Sequence, residues 1–223
     1  MGLQRNPRTL FALFDQHLGD QGIIGREGSI VDASFVEVPR RRNSRQENEQ
    51  IKNRQTPQEW EQNPDKLAQK DTDARWVQKN GTNHYGYKNH IKIDAKTKLI
   101  TACHTTRAEV HDSQMLQTLV NLRDKAVLAD SAYRSQQIET YLLQDCEDFI
   151  LYKAQRNKPL TQEEKQLNRL RSRIRSRVEH ILARIQQYGS DTLRTIAKAR
   201  AAFHITVTNL LYNLDRYSFL CRS

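Results

Sequence analysis

GSIVDASFVEV, residues 28 to 38, reads as a buried β-strand with a carboxylate at its centre. Apolar and β-branched residues fill the run, yet Asp32 stands among them and no Lys or Arg lies within the stretch. Burying an unpaired carboxylate costs several kcal/mol, so its counter-charge comes from another part of the chain or from a metal. The plain alternative is a solvent-facing Asp on a half-exposed strand, the usual place for that residue. Further acids decide between the two.

Working outward from this strand, the chain in front of it contains one helical stretch, RTLFALFDQHLG, which makes residues 1–27 a short helical segment. Behind it, from about 39 to 78, runs a polar tract that includes RRRNSRQENEQIKNRQTPQEWEQ, with almost no core-forming residues and six basic residues between Arg40 and Arg54. It reads as a flexible or helical insertion lying over anionic surface, or simply as a solvated charge run. Next, HYGYKNHIKIDAKTKLITACHTT alternates Tyr, His and Ile on either side of the turn DAKTK, the pattern of a β-hairpin. HDSQMLQTLVNLRD predicts a helix capped by Asp112 or Ser113, KAVLAD a buried strand closed by Asp130, RSQQIETYLLQDC an amphipathic helix and EDFILYK a strand. After Pro159, TQEE opens a long helix with a capping box at Thr161. Strands interleaved with helices predict a mixed α/β domain, and in such sheets ligands gather at the carboxyl ends of parallel strands, where Asp130 stands.

The third acid lies on that long helix. In LNRLRSRIRSRVEHILARIQQYG a helical repeat lines up Leu170, Ile174, Val178, Ile181 and Ile185 as the packing stripe. Ser172, Arg175, Glu179 and Gln186 share the opposite arc, while Arg173, Arg177 and Arg184 line a separate flank. Glu179 is therefore either a surface residue paired with Arg175 at i,i+4, or part of a site. Between 151 and 189 there are ten Lys and Arg against three Glu, which makes this region the strongest polyanion surface of a chain with formal charge +10 and pI near 9.6. Nucleic acid or an anionic membrane face are the candidate partners. A chain of 223 residues forms one domain. It has no apolar run near the roughly 20 residues of a bilayer span and no signal peptide, so a soluble, cytoplasmic protein without a membrane partner is expected.

Other chemistry is less well supported. Cys103, Cys146 and Cys221 are odd in number and scattered, which predicts reduced, structural thiols. His84, His90, His104 and His111 match no zinc-finger spacing. Ser131 lacks the GxSxG elbow of a hydrolase nucleophile. Asp112 is first a helix cap and second a group near the acids, and Tyr85, Tyr87 and Lys88 could touch a nucleic-acid backbone or fill the core. Lys92 and Asp94 have no assignable role.

Taken in order, IVDASFV, DARWVQKNGTNHYGYKNHIKID, EVHDS, VLADSAY and IRSRVEHI closely resemble insertion-sequence transposases of the DDE class, whose catalytic domain is RNase H-like. The resemblance spans about 28–220, and it implies an RNase H-like mixed sheet flanked by helices, with the polar basic insertion following the first strand. It implies Asp32, Asp130 and Glu179 as both catalytic acids and metal ligands, with Asp32 bridging two ions. It implies Mg²⁺ as cofactor, with Mn²⁺ as a substitute. Transposon-end and target DNA become the partners of a homo-oligomer, contacted by Arg40, Arg41, Arg42, Lys88, Arg173, Arg175, Arg177 and Arg184. The family pattern around the last acid is Tyr, two residues, Arg, three residues, Glu, six residues, Lys. Arg175 and Glu179 keep it, whereas Ser172 and Gln186 stand in the Tyr and Lys positions. Three carboxylates suit this chemistry because oxygen ligands match Mg²⁺, and two ions roughly 4 Å apart can serve both the attacking and the leaving oxygen. The alternatives are a general RNase H-like nuclease, which would cleave without joining ends, and a shortened DNA-binding remnant, which would do neither. With about thirty residues ahead of Asp32, phosphate-directed contacts predominate, and weak preference for the transposon ends is expected.

Overall fold

The computed structural model describes residues 7–25, 27–38, 41–121, 123–142, 146–156 and 158–222. Strand β1, Ser29–Glu37, is the centre of the sheet. On one side it pairs antiparallel with β3, Thr82–Asp94; on the other it runs parallel to β5, Ala126–Leu128, which in turn pairs parallel with β6, Glu147–Asp148. The far edge of β3 is shared by β2, Arg75–Lys79, and β4, Ile100–Arg107, the hairpin partner expected across DAKTK. This mixed sheet, flanked by helices, is the RNase H-like architecture.

Both faces of β1 are covered, which explains its nearly continuous apolar run. Ile30 packs with Ile91, Ile93, Val178, Ile181 and Ile185, whereas its neighbour Val31 packs on the opposite layer with Met115, Leu116, Val127 and Tyr133. The first of these layers is closed by helix α8, Arg177–Ile185, and by α9, Lys198–Leu220. The second is closed by the short helices α5, Leu116–Leu119, and α6, Gln136–Leu142. Lys92, without a role in the sequence, is fully buried against Asp124 at 2.6 Å, and Ser29 Oγ donates to the same carboxylate at 2.7 Å. Asp94 accepts from the Thr97 amide and hydroxyl and so closes the hairpin turn.

Several expectations are corrected. The polar tract after β1 has its own small core: helices α2, Arg45–Lys52, α3, Gln58–Glu61, and α4, Pro64–Ala68, surround a fully buried Trp60 whose indole N–H donates to Glu47 at 2.8 Å. Its last residues form edge strand β2. The helix expected from 111 is only a 3-10 turn, Asp112–Met115, followed by α5, and its cap is the His111 side chain because Asp112 turns instead to Lys88. The capping box at Thr161 is present, but the long helix breaks at Ser176 into α7, Gln162–Arg175, and α8. Val178, Ile181 and Ile185 of the packing stripe are buried, while Leu170 and Ile174 on α7 are 58% and 39% exposed. Helix α9 was not anticipated. Helix α1, Pro7–Asp20, is the expected front segment.

Gly86 fixes how β1 crosses β3. It has φ +148°, and a Cβ there would lie 2.3 Å from the Val36 carbonyl oxygen, which neither backbone can yield. Gly86→Ala should therefore destabilise the domain by about 2 kcal/mol or more, read as a lowered denaturation midpoint with an unchanged m-value. An unchanged midpoint would show that the crossing tolerates a side chain.

Candidate active site

Asp32 and Asp130 are neighbours by topology. The parallel register pairs Ser29 with Val127 and Ile30 with Leu128, so two residues further on the carboxyl end of β5 brings Asp130 level with Asp32. Each acid has one oxygen fixed by local backbone: Asp32 Oδ1 accepts from the Ala33 amide at 2.8 Å and Asp130 Oδ1 from the Ser131 amide at 2.6 Å. Burial pushes the Asp32 carboxyl above its ordinary pKa and the charge of Asp130 pushes the same way, while the Ala33 amide, Arg175 and Lys79 oppose them. The counter-charge that the sequence demanded is thus supplied in part by Arg175, whose Nη1 donates to Asp32 Oδ2 at 2.9 Å.

Glu179 enters through the same guanidinium. Arg175 is the last residue of α7 and Glu179 lies in the first turn of α8, so the break at Ser176 sits between them. Arg175 Nη2 donates to Glu179 Oε1 at 3.2 Å. Glu179 is 61% exposed, against 20% for Asp32. One cation therefore links an acid of the sheet to an acid of the covering helix. The donor chemistry, carboxylate oxygens alone, fits a hard divalent cation. Their present spacing does not make a closed cage: among the described residues no three His, Cys, Asp or Glu side chains stand close enough to hold a metal ion.

Residues 24–214 match the family model described as the transposase DDE domain. The chain belongs to that family. It is 30% identical to the transposase for insertion sequence element IS1106 of Neisseria meningitidis serogroup B, over 94% of this chain and 73% of that protein. A solved structure, a cryo-EM structure of piggyBac transposase in a synaptic complex with hairpin DNA, is similar with a TM-score of 0.46 and 9% identity. That likeness covers 86% of this chain, which spans about half, 48%, of the piggyBac chain.

The residues expected to contact DNA are placed differently in this transposase domain. Arg41, Arg173 and Arg177 are exposed, although Arg177 also donates to the Ala95 carbonyl at 2.9 Å. Arg42 and Arg184 are part-engaged, Arg42 with Glu37 at 3.1 Å and over the Trp76 ring, Arg184 with Asp215 at 3.4 Å and over Tyr188. Arg40 lies outside the described residues. Arg175 is engaged by Asp32 and Glu179. Lys88 is buried, its ammonium donating to the Val110 carbonyl at 2.7 Å and to Asp112 at 2.8 Å, so an internal ion pair stands beside its expected role as a DNA contact. Of the positions that depart from the family pattern, Ser172 is half-buried and Gln186, just after α8, is exposed.

Two neighbours of the acids were missed. Lys79, at the end of the edge strand β2, lies close enough to lower the Asp32 pKa. Tyr133, three residues after Asp130, is buried with no hydrogen-bond partner for its hydroxyl among the described residues. Burial first, and then Asp32, Asp112 and Asp130, hold its pKa well above the usual phenol range. DSAY was the available signal for Tyr133, whereas nothing in the sequence places Lys79 beside Asp32.

Lys88→Met should separate the two readings of that residue. Among the described residues it leaves Asp112 with the longer Lys79 pair at 3.6 Å, and breaking a buried ion pair should cost about 3 kcal/mol of stability. The salt slope of DNA binding should not change, and a slope reduced by about one counterion at unchanged stability would restore Lys88 as a phosphate contact.

Proposed function

We propose that this domain performs the DNA chemistry of transposition, cleavage at transposon ends followed by strand transfer into target DNA. In this reading Asp32, Asp130 and Glu179 hold divalent metal, Mg²⁺ with Mn²⁺ as a substitute. The observation that carries it is the placement of Asp32 and Asp130 level with each other on adjacent parallel strands, with Arg175 joining Glu179 to Asp32. Metal ions bound there would neutralise charge at phosphorus and lower the pKa of an attacking water or hydroxyl.

The protein's own groups divide the remaining work. Asp32 and Asp130 are pre-oriented by the Ala33 and Ser131 amides, so neither pays much ordering entropy when a ligand arrives. Glu179, on a mostly exposed helix turn, completes the set from the side open to DNA. Exposed Arg173 and Arg177 contact phosphates, which position the duplex without reading its sequence. Water adds to the scissile phosphorus at the transposon end, the bond to the 3′-oxygen breaks, and that oxygen leaves as a 3′-hydroxyl. The hydroxyl then attacks a target phosphodiester and displaces its 3′-oxygen. Two ends must be processed and joined, so the chain is taken to act as a homo-oligomer on DNA.

Two substitutions test this division. Glu179→Gln should abolish metal-dependent cleavage while leaving DNA affinity within about twofold, because it weakens a metal ligand and spares the arginine flank. Arg177→Ala should lower affinity for all duplexes alike and reduce the salt slope by about one counterion. Equal cleavage rates for wild type and Glu179→Gln at saturating DNA would remove Glu179 from the chemistry.

A further inference from the structure

The acid basin contains two buried donors that find no hydrogen-bond acceptor among the described residues, Arg175 Nε and the Tyr133 hydroxyl. Buried donors are nearly always paired, so two at one place call for an explanation. Arg175 is also bound in an unusual way. A guanidinium committed to one carboxylate commonly grips it with two parallel N–H groups. Here one terminal nitrogen goes to Asp32 and the other to Glu179, and Nε is left over.

The helix that carries it is weakly anchored. None of the α7 residues is buried, and Leu170 and Ile174 on its apolar stripe face outward. Its contacts with the body include Arg171 to the Ile150 carbonyl at 2.8 Å, Asn168 with the Tyr152 backbone, and Arg175 itself. The chain then breaks at Ser176, whose hydroxyl donates to the Arg173 carbonyl, and only α8 enters the core. Arg175 can therefore leave Asp32 without unpacking a hydrophobic layer.

We propose that Arg175 is a built-in counter-cation that competes with metal for Asp32 and Glu179. It is a positioning residue: in the metal-free protein it offsets the carboxylate charge, and it withdraws from Asp32 when a divalent ion takes those oxygens. The inference rests on the reading of the three acids as metal ligands. The physical reason is that one guanidinium occupies an oxygen on each of two acids, and an arriving cation meets both the occupied oxygens and a like charge a few ångströms away.

The test compares the full chain with Arg175→Gln and Arg175→Lys, using Mn²⁺ titration calorimetry and thermal melting in chelator or in excess Mn²⁺. Arg175→Gln should melt below wild type in chelator, gain more from Mn²⁺, and bind Mn²⁺ about fivefold or more tightly, since an arginine that only supported the fold would give no such gain. Arg175→Lys, which keeps the charge but loses the fork, should bind more tightly than wild type by a smaller factor. If Arg175→Gln does not fold in chelator, the lysine variant carries the same comparison. Weaker or unchanged Mn²⁺ affinity in the folded variants overturns the competition. Asp32→Asn distinguishes the two readings: if it binds Mn²⁺ as wild type does, the acids are not the ligands and both readings fall, whereas loss of binding with no gain in the Arg175 variants removes the competition alone.

Discussion

A carboxylate in the middle of a strand buried on both faces is the constraint around which the rest of the domain is arranged. Asp32 cannot stay charged there without positive charge beside it, and burial already pushes its pKa upward. The nearest cation comes from Arg175, at the end of a helix 143 residues further along the chain. That ion pair ties the end of α7 to the sheet beside the helix break at Ser176, and the same guanidinium holds Glu179 on the packed helix α8. The cost of burying Asp32 thus becomes a means of assembling residues from distant parts of the chain.

The surrounding fold holds this arrangement with buried polar contacts between distant elements. Helix α9 docks on the hairpin through Asn213, which accepts from the Ile100 amide at 2.8 Å and donates to its carbonyl at 2.7 Å, and through the pairing of Asn209 with Asn89. Asp71, in the tract after β1, accepts from the Tyr87 hydroxyl at 2.8 Å and from the Ala197 amide at 3.2 Å, so it ties that tract to the start of α9. On the other face the buried Lys92–Asp124 pair locks the hairpin to the segment leading into β5. Each contact spans elements far apart in sequence.

Local signals were legible in the sequence, and long-range ones were not. The apolar run of β1, the period-two pattern of the hairpin, the apolar run before Asp130 and the capping box at Thr161 are written in consecutive residues. Helix α9 was hidden because buried Thr206, Thr208, Asn209 and Asn213 interrupt its apolar pattern: the threonine hydroxyls turn back onto carbonyls of their own helix, and the two asparagines make sense only against the sheet they bond. The core of the basic tract was hidden because Trp60 is held by Glu47 and Lys70, which a reading of composition counts as solvated charge. Composition likewise gave no sign that Lys88 and Arg175 pair with acids of the chain itself, Asp112 for the one and Asp32 with Glu179 for the other. The three acids were singled out by resemblance to a family, and no single spacing would have selected Glu179.

The most direct measurement of the central claim is the structure of the protein in Mn²⁺, with anomalous scattering used to locate the ion. The account predicts Mn²⁺ on the carboxylates of Asp32 and Asp130, with the Arg175 to Asp32 hydrogen bond broken. Manganese absent from these acids while Arg175 still donates to Asp32 would contradict it.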